Sequence, residues 1–195
     1  MKGPSVAVYP SGKGASDGGP PSREVQELWF ALARSPWTSV VVVPADVGAS
    51  SAKIATSLAE VGRRLRETPV TAIVAESLDY DTARALADLE QHVDRQRQRA
   101  LDVNASVVET PVGDESAPAN VNRSGQLVVA SVAQVIVAVQ SVVEQPLGIA
   151  IAQAADAVVL CIEMGRTRFS AARRTIELIG RERIAGCYLV HGARP

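Results

Sequence analysis

The amino-acid sequence predicts the α/β class: a three-layer α/β/α sandwich around a mainly parallel sheet. Three observations carry that prediction. Short apolar runs recur along the chain, SVVVV at 39–43, VTAIVA at 70–75, VIVAV at 135–139, AVVLCIE at 157–163 and IAGCYLV at 184–190. They are apolar at consecutive positions, as in strands covered on both faces. The segments between successive runs read mainly as helices, several with apolar residues at helical spacing, and strands alternating with helices imply a parallel sheet. Finally, 195 residues with 47% hydrophobic and 21% charged content can bury one substantial core, which points to one domain.

Residues 1–21 are rich in Gly, Pro and Ser and read as a flexible lead-in, with a single domain over 22–195. Inside the lead-in, VAVYPSGKGASDGG imitates a strand and a phosphate loop carrying Lys13. Gly18, Gly19, Pro20 and Pro21 follow it instead of a helix, so no row of helical N–H groups is expected to hold phosphate. From Ser22, a plausible N-cap, to Arg34 the residues Val25, Leu28, Trp29 and Leu32 recur at helical spacing. Strand 39–43 leads to a helix over 51–66, whose Ile54, Leu58, Val61 and Leu65 form one stripe. Strand 70–75 leads to a helix over 81–99 that ends in a charged stretch. Residues 102–126 read as irregular and polar, with one short strand near Ser106 to Val108. After strand 135–139 a helix opens at Pro146, and after strand 157–163 a helix over 168–179 is closed by Gly180.

Composition narrows the function. A net charge of −1 offers no general attraction for nucleic acid, and the arginine clusters around Arg63, Arg95 and Arg166 to Arg174 read as solvated helix faces. No apolar run reaches the ~18 residues that span a bilayer, and the N-terminus lacks the layout of a signal peptide, so a cytoplasmic location is expected. Cys161 and Cys187 each fall inside an apolar run and are expected to be inert core thiols. His92 on a polar helical stretch and His191 in the tail suggest neither a metal site nor a catalytic pair.

In open parallel sheets, ligands sit beyond the carboxyl ends of the strands, which places the loops after Val43, Ala75 and Val139 around one crevice. The stretch VVVPADVGASSAKIATSLAEVGRRL from Val41 to Leu65 has the strand, small-residue loop and helix of a phosphate-binding turn. With the segment order and the stretch QAADAVVLCIEMGRTRFSAARRTIELIGRERIAGCYLV at 153–190, the chain resembles the cytoplasmic domain of bacterial tyrosine kinases of capsule and exopolysaccharide systems. That family stands within the P-loop NTPase-like group that includes the MinD and ParA partitioning proteins. The resemblance runs from about Ser22 to Val190. VQELWFALAR at 25–34 is similar to the family's E-x-x-R-x-x-R helix, which packs against a neighbouring subunit; Glu27 is kept, while Phe30 and Ala33 replace arginines. The resemblance thus implies an interface at Glu27, Phe30 and Arg34; because Trp29 fills the apolar stripe and Phe30 stands about 100° from it, Phe30 is expected to project outward, the alternative being that it packs under the lead-in or a nearby loop.

The chemistry implied by the resemblance is missing position by position. The family's loop reads G-x-G-K-[ST], where N–H groups wrap phosphate, the lysine neutralises it and the hydroxyl binds Mg²⁺. Those places hold Gly48, Ala49, Ser50, Ser51 and Ala52. The family's D-x-D after the next strand is matched by Ala75, Glu76 and Ser77, and its Walker B aspartate by Ala138. Lys53 and Glu76 are the residues that would have to rescue the site. At about 100° per residue, Lys53 projects some 200° from the lysine position, and Glu76, between the lost aspartates, is expected to point away from the crevice.

The expectation is therefore a catalytically inactive, kinase-like or MinD-like domain, a pseudokinase or pseudo-ATPase with a degenerate Walker A motif and no cofactor, acting as a protein-binding scaffold or regulator. The context implied by the resemblance is exopolysaccharide synthesis or export at the inner face of the membrane. The implied partners are a membrane polysaccharide co-polymerase or a related active ATPase, or further copies of the chain. No counterpart is expected for the tyrosine-rich tail that the kinases phosphorylate, since Tyr9, Tyr80 and Tyr188 are scattered and the last residues read HGARP. The alternative is an active ATPase or tyrosine kinase that binds ATP and Mg²⁺ through an altered loop.

Overall fold

The structure, a computed structural model, describes residues 5–9, 21–49, 51–65, 69–106 and 134–191. Six strands form one sheet: β1 (Ser5–Tyr9), β2 (Ser39–Pro44), β3 (Val70–Ser77), β4 (Gln134–Ala138), β5 (Ala157–Met164) and β6 (Ile184–His191). Five helices connect them: α1 (Arg23–Leu32), α2 (Ala52–Leu65), α3 (Tyr80–Ser106), α4 (Leu147–Ala154) and α5 (Phe169–Ile179). The spatial order is β1-β3-β4-β2-β5-β6, and every pairing is parallel except that of β1 with β3.

The order of strands dictates where the helices go. From β2 the chain steps outward across β4 to β3, and every later step runs the opposite way along the sheet. Right-handed crossovers then put α2 on one face and α3, α4 and α5 on the other. The two cores follow that division. Val40 and Val42 of β2 join Val25, Trp29, Leu58 and other residues of α1 and α2. Val41 and Val43 join Ala83, Leu86, Ile151 and Ile179 from α3, α4 and α5. Alternate residues of the same strand therefore feed different layers, which is why these strands read as unbroken apolar runs.

Local signals fix the element ends. Ser22 caps α1, its hydroxyl accepting from the Val25 N–H at 3.5 Å, and Gly180 ends α5 with φ of 96°, a value that favours glycine. At the foot of the sheet, one Asp156 carboxylate oxygen accepts from the Thr38 N–H at 2.6 Å, the Thr38 hydroxyl at 2.8 Å and the Ser39 N–H at 3.0 Å. That carboxylate ties the start of β2 to the start of β5.

Three expectations are corrected here. Within the stretch expected to be a flexible lead-in, Ser5–Tyr9 is an antiparallel edge strand paired with β3, from Val6 opposite Ala75 to Tyr9 opposite Ala72. An edge strand needs only one partner, so the surrounding Gly and Pro did not prevent it; Lys13 lies outside the described residues. The third helix runs to Ser106 instead of 99, absorbing the start of the stretch expected to be irregular, and residues 107–126 of that stretch are outside the described residues. Cys161 is buried but Cys187 is exposed, because β6 is the other edge of the sheet and its alternate residues Tyr188 and Val190, not Cys187, pack against the layer of α1 and α2. Burial pushes the Cys161 thiol up to about 12, with Cys187 a smaller contributor.

Candidate functional site

The end of β2 is the point from which connections leave for opposite faces. α2 leaves β2 toward one layer, while the neighbouring strands β4 and β5 send α4 and α5 toward the other. Such reversals open crevices at the carboxyl ends of the strands. Two clefts occur there, one on each side of the loop that follows β2.

The first cleft, about 250 Å³, lies between β2 and the β3–β4 side. It is lined by Gly48, Ala49, Ser51 and Ala52 from the first loop, Val74, Ala75 and Glu76 from the end of β3, and Ala138 to Ser141 with Glu144 from the region after β4. The three loops expected to surround one crevice do meet there. Gly48 has a φ of 77°, the left-handed turn that lets the chain reverse toward α2. Ser51 closes the turn. Its carbonyl accepts from the N–H groups of Ile54 at 3.1 Å and Ala55 at 3.0 Å, and its buried hydroxyl donates to the Val139 carbonyl at 2.7 Å.

The second cleft, about 310 Å³, lies on the β5 side and is lined by Asp46, Val47, Ala49, Glu163, Arg166, Thr167 and Arg168. Its centre is a charge clamp. Arg168 donates from Nε to Asp46 Oδ2 at 3.1 Å and from Nη2 to Oδ1 at 3.0 Å, and its backbone N–H reaches Oδ2 at 2.9 Å. The Val47 N–H adds a bond to Oδ1 at 2.7 Å. Hydrogen bonds from Arg168 hold the Asp46 carboxyl well below the usual carboxylate range and raise the Arg168 guanidinium. Arg166 is likewise engaged, with Glu163 at 3.0 Å.

The residues singled out from the sequence divide as follows. Gly48, Ala49, Ser51, Ala52, Ala75 and Ala138 converge on the first cleft; Ser50 is outside the described residues, and Ser77, half-buried at the end of β3, does not line it. Lys53 is exposed on α2 and also stands outside the lining. Glu76 is a correction: expected to point away, it lines the cleft. The pairing of β3 with β4 stops at Val74, and on its other side the register with β1 shifts between Ala75 and Ser77, leaving Glu76 as the extra residue, so strict alternation no longer fixes the direction. On α1, Glu27, Phe30 and Arg34 are exposed, Phe30 at 57%, and Glu27 pairs with Arg23 at 2.8 Å. The Asp46–Arg168 clamp was not foreseen, because its partners stand 122 positions apart and Arg168 reads as one of several surface arginines.

The described residues that line the first cleft include no lysine or arginine and two glutamates, Glu76 and Glu144. Among the described residues no group of three or more His, Cys, Asp or Glu is placed to hold a metal ion, and no helix is long and apolar enough to cross a membrane. The fold and site thus define an α/β sandwich with a crevice at the switch point of its sheet. Comparison with family models, curated proteins and solved structures returns no match.

Proposed function

We propose that this chain is a catalytically inactive domain of kinase-like or MinD-like form that acts by binding other proteins. The observation that carries the reading is the charge of the first cleft, where a phosphate loop would need a cation and two carboxylates stand instead. Charge-assisted hydrogen bonds contribute roughly 1.5–3 kcal/mol each. Replacing a lysine by the Ser51 hydroxyl, already bonded to Val139, removes that attraction, while Glu76 and Glu144 add repulsion to a polyphosphate. Rescue by Lys53 finds no support, since it stands outside the cleft lining.

The sequence resemblance supplies the context: exopolysaccharide synthesis or export beneath the membrane, with a co-polymerase, a related active ATPase or another copy as partner. The exposed Phe30 on α1, beside exposed Glu27 and Arg34, supports a contact surface on that helix. Calorimetric titration with ATP and ADP, with and without Mg²⁺, tests the reading. The expected result is no saturable binding below about 1 mM and no ATP hydrolysis; micromolar affinity or turnover overturns it in favour of an enzyme with an altered loop.

A further inference from the structure

We infer that β6 is a contact through which two copies of this chain associate, the strand of one copy adding antiparallel to the same strand of the other so that two sheets become one. The inference is independent of the reading above, since none of the described residues lining either cleft belongs to β6.

A strand at the edge of a sheet presents a row of unpaired N–H and C=O groups, and proteins blunt such edges with short strands, bulges, charges or proline. The two edges of this sheet differ in that respect. β1 has five residues, and its register breaks at the first step, between Ser5 and Val6. β6 has eight and, among the described residues, pairs with β5 alone. Its register with β5 shifts once, at Ala185, and then runs unbroken from Gly186 to His191. From Ile184 to Val190 the strand reads IAGCYLV, without a charge or a proline. One face of it is covered, since Tyr188 and Val190 pack against the layer of α1 and α2. The alternate residues Cys187 and Leu189 are exposed, Leu189 at 52%.

The make-up of the strand selects a second copy as its occupant. Association about a two-fold axis requires a strand that complements itself. An uncharged strand meets no like charge when it pairs with its own copy, whereas a charged peptide would find no opposite charge along Ile184 to Val190. Side-chain sizes match as well. Antiparallel pairing centred on Tyr188 sets Gly186 opposite the second copy's Val190, where the glycine leaves room for the branched side chain, and Cys187 opposite the second copy's Leu189. Each exposed leucine thereby gains an apolar neighbour in place of water, and the free row of backbone groups on β6 is paired.

The test uses the full chain. Sedimentation from about 1 to 100 μM should show a monomer–dimer equilibrium. In the dimer the two Cys187 residues are diagonal neighbours on one face, with Cβ atoms within about 8 Å, so a bismaleimide of about 8 Å span should link two copies. Cys187→Ser should not be linked, because Cys161 is buried. Cys187→Lys with Leu189→Lys, at two exposed positions, should weaken the dimer at least about tenfold while leaving the melting temperature within about 2 °C. A chain that stays monomeric throughout, even one that binds an added extended peptide, overturns the inference. So does a dimer that is not linked through Cys187, or one that the folded double variant leaves intact; linking of the unaltered chain decides the matter where the variant unfolds. Phe30→Arg, which probes the exposed face of α1, should leave the link in place, and its loss there puts the contact on α1 and overturns the inference.

Discussion

Glu90 should make the stability of this protein fall as pH rises. It lies on α3, fully buried, and neither carboxyl oxygen has a hydrogen-bond partner. Burial, and secondarily the negative charge of Asp156, push its pKa up to about 9 from 4.5. The unfolded chain releases this proton near pH 4.5, whereas the folded chain keeps it until about pH 9. The contribution of Glu90 is therefore fully present below pH 4.5 and is lost as pH rises through 9. One unit is worth about 1.36 kcal/mol, so between pH 5 and pH 8 the loss is roughly 2–4 kcal/mol, allowing for relaxation around the charge. Glu90→Gln keeps the shape and removes the titration. In urea denaturation the two proteins should agree within about 1 kcal/mol at pH 5, where Glu90 is protonated, and the variant should be more stable by roughly 2–4 kcal/mol at pH 8. Asp156 keeps its bonds to Thr38 and Ser39 in both proteins. Parallel stability curves across that range would refute the reasoning.

Two further perturbations probe the layer formed by α1 and α2. Gly62→Ala should destabilise the fold although alanine is the better helix former by about 1 kcal/mol. The new Cβ would stand 2.8 Å from both Trp29 Cζ3 and Val70 Cγ2, and the Trp29 ring is held edge-on against Trp37 with centroids 5.5 Å apart. With overpacking at about 1–3 kcal/mol, a melting temperature lower by roughly 2–6 °C is expected, and an unchanged or raised one contradicts the packing argument. Phe30→Arg should leave the melting temperature within about 2 °C while reducing self-association in light scattering or capture of a co-polymerase; a folded variant with both associations unchanged removes α1 as the interface.

Most of the sandwich was legible because its determinants are local. Val40 to Val43 are apolar in succession since each faces one of two helical layers, and Ser22 and Gly180 mark helix ends through their own chemistry. What escaped notice depends on partners distant in sequence. The edge strand Ser5–Tyr9 exists through β3, some 70 positions further on. Glu90 follows Ala83 and Leu86 at the spacing of one helical stripe, but its charge and the polar run around it read as a solvated face. The crevice was foreseen from the rule that ligands sit beyond the carboxyl ends of parallel strands, yet the placement of Glu76 depended on the register shift between β3 and the unforeseen β1.

The loop after β2 is held from both sides by the protein's own groups. On one side the Ser51 hydroxyl reaches across to the carbonyl of Val139, at the carboxyl end of β4; on the other, Asp46 receives the guanidinium and backbone N–H of Arg168 at the head of α5. A phosphate-binding turn leaves its N–H groups and its lysine to be satisfied by the ligand, so its order depends on what it binds. Here a neutral hydroxyl and an internal ion pair do that ordering, and the Ala45 carbonyl is additionally met by the Thr175 hydroxyl at 3.2 Å. Such a loop keeps its form without phosphate. The same two anchors also separate the clefts chemically: the arginines of the β5 side are engaged by Asp46 and Glu163, while Glu76 and Glu144 on the β3–β4 side form no ion pair among the described residues. Among the described residues the unpaired charge at the switch point is therefore negative and lies at the first cleft.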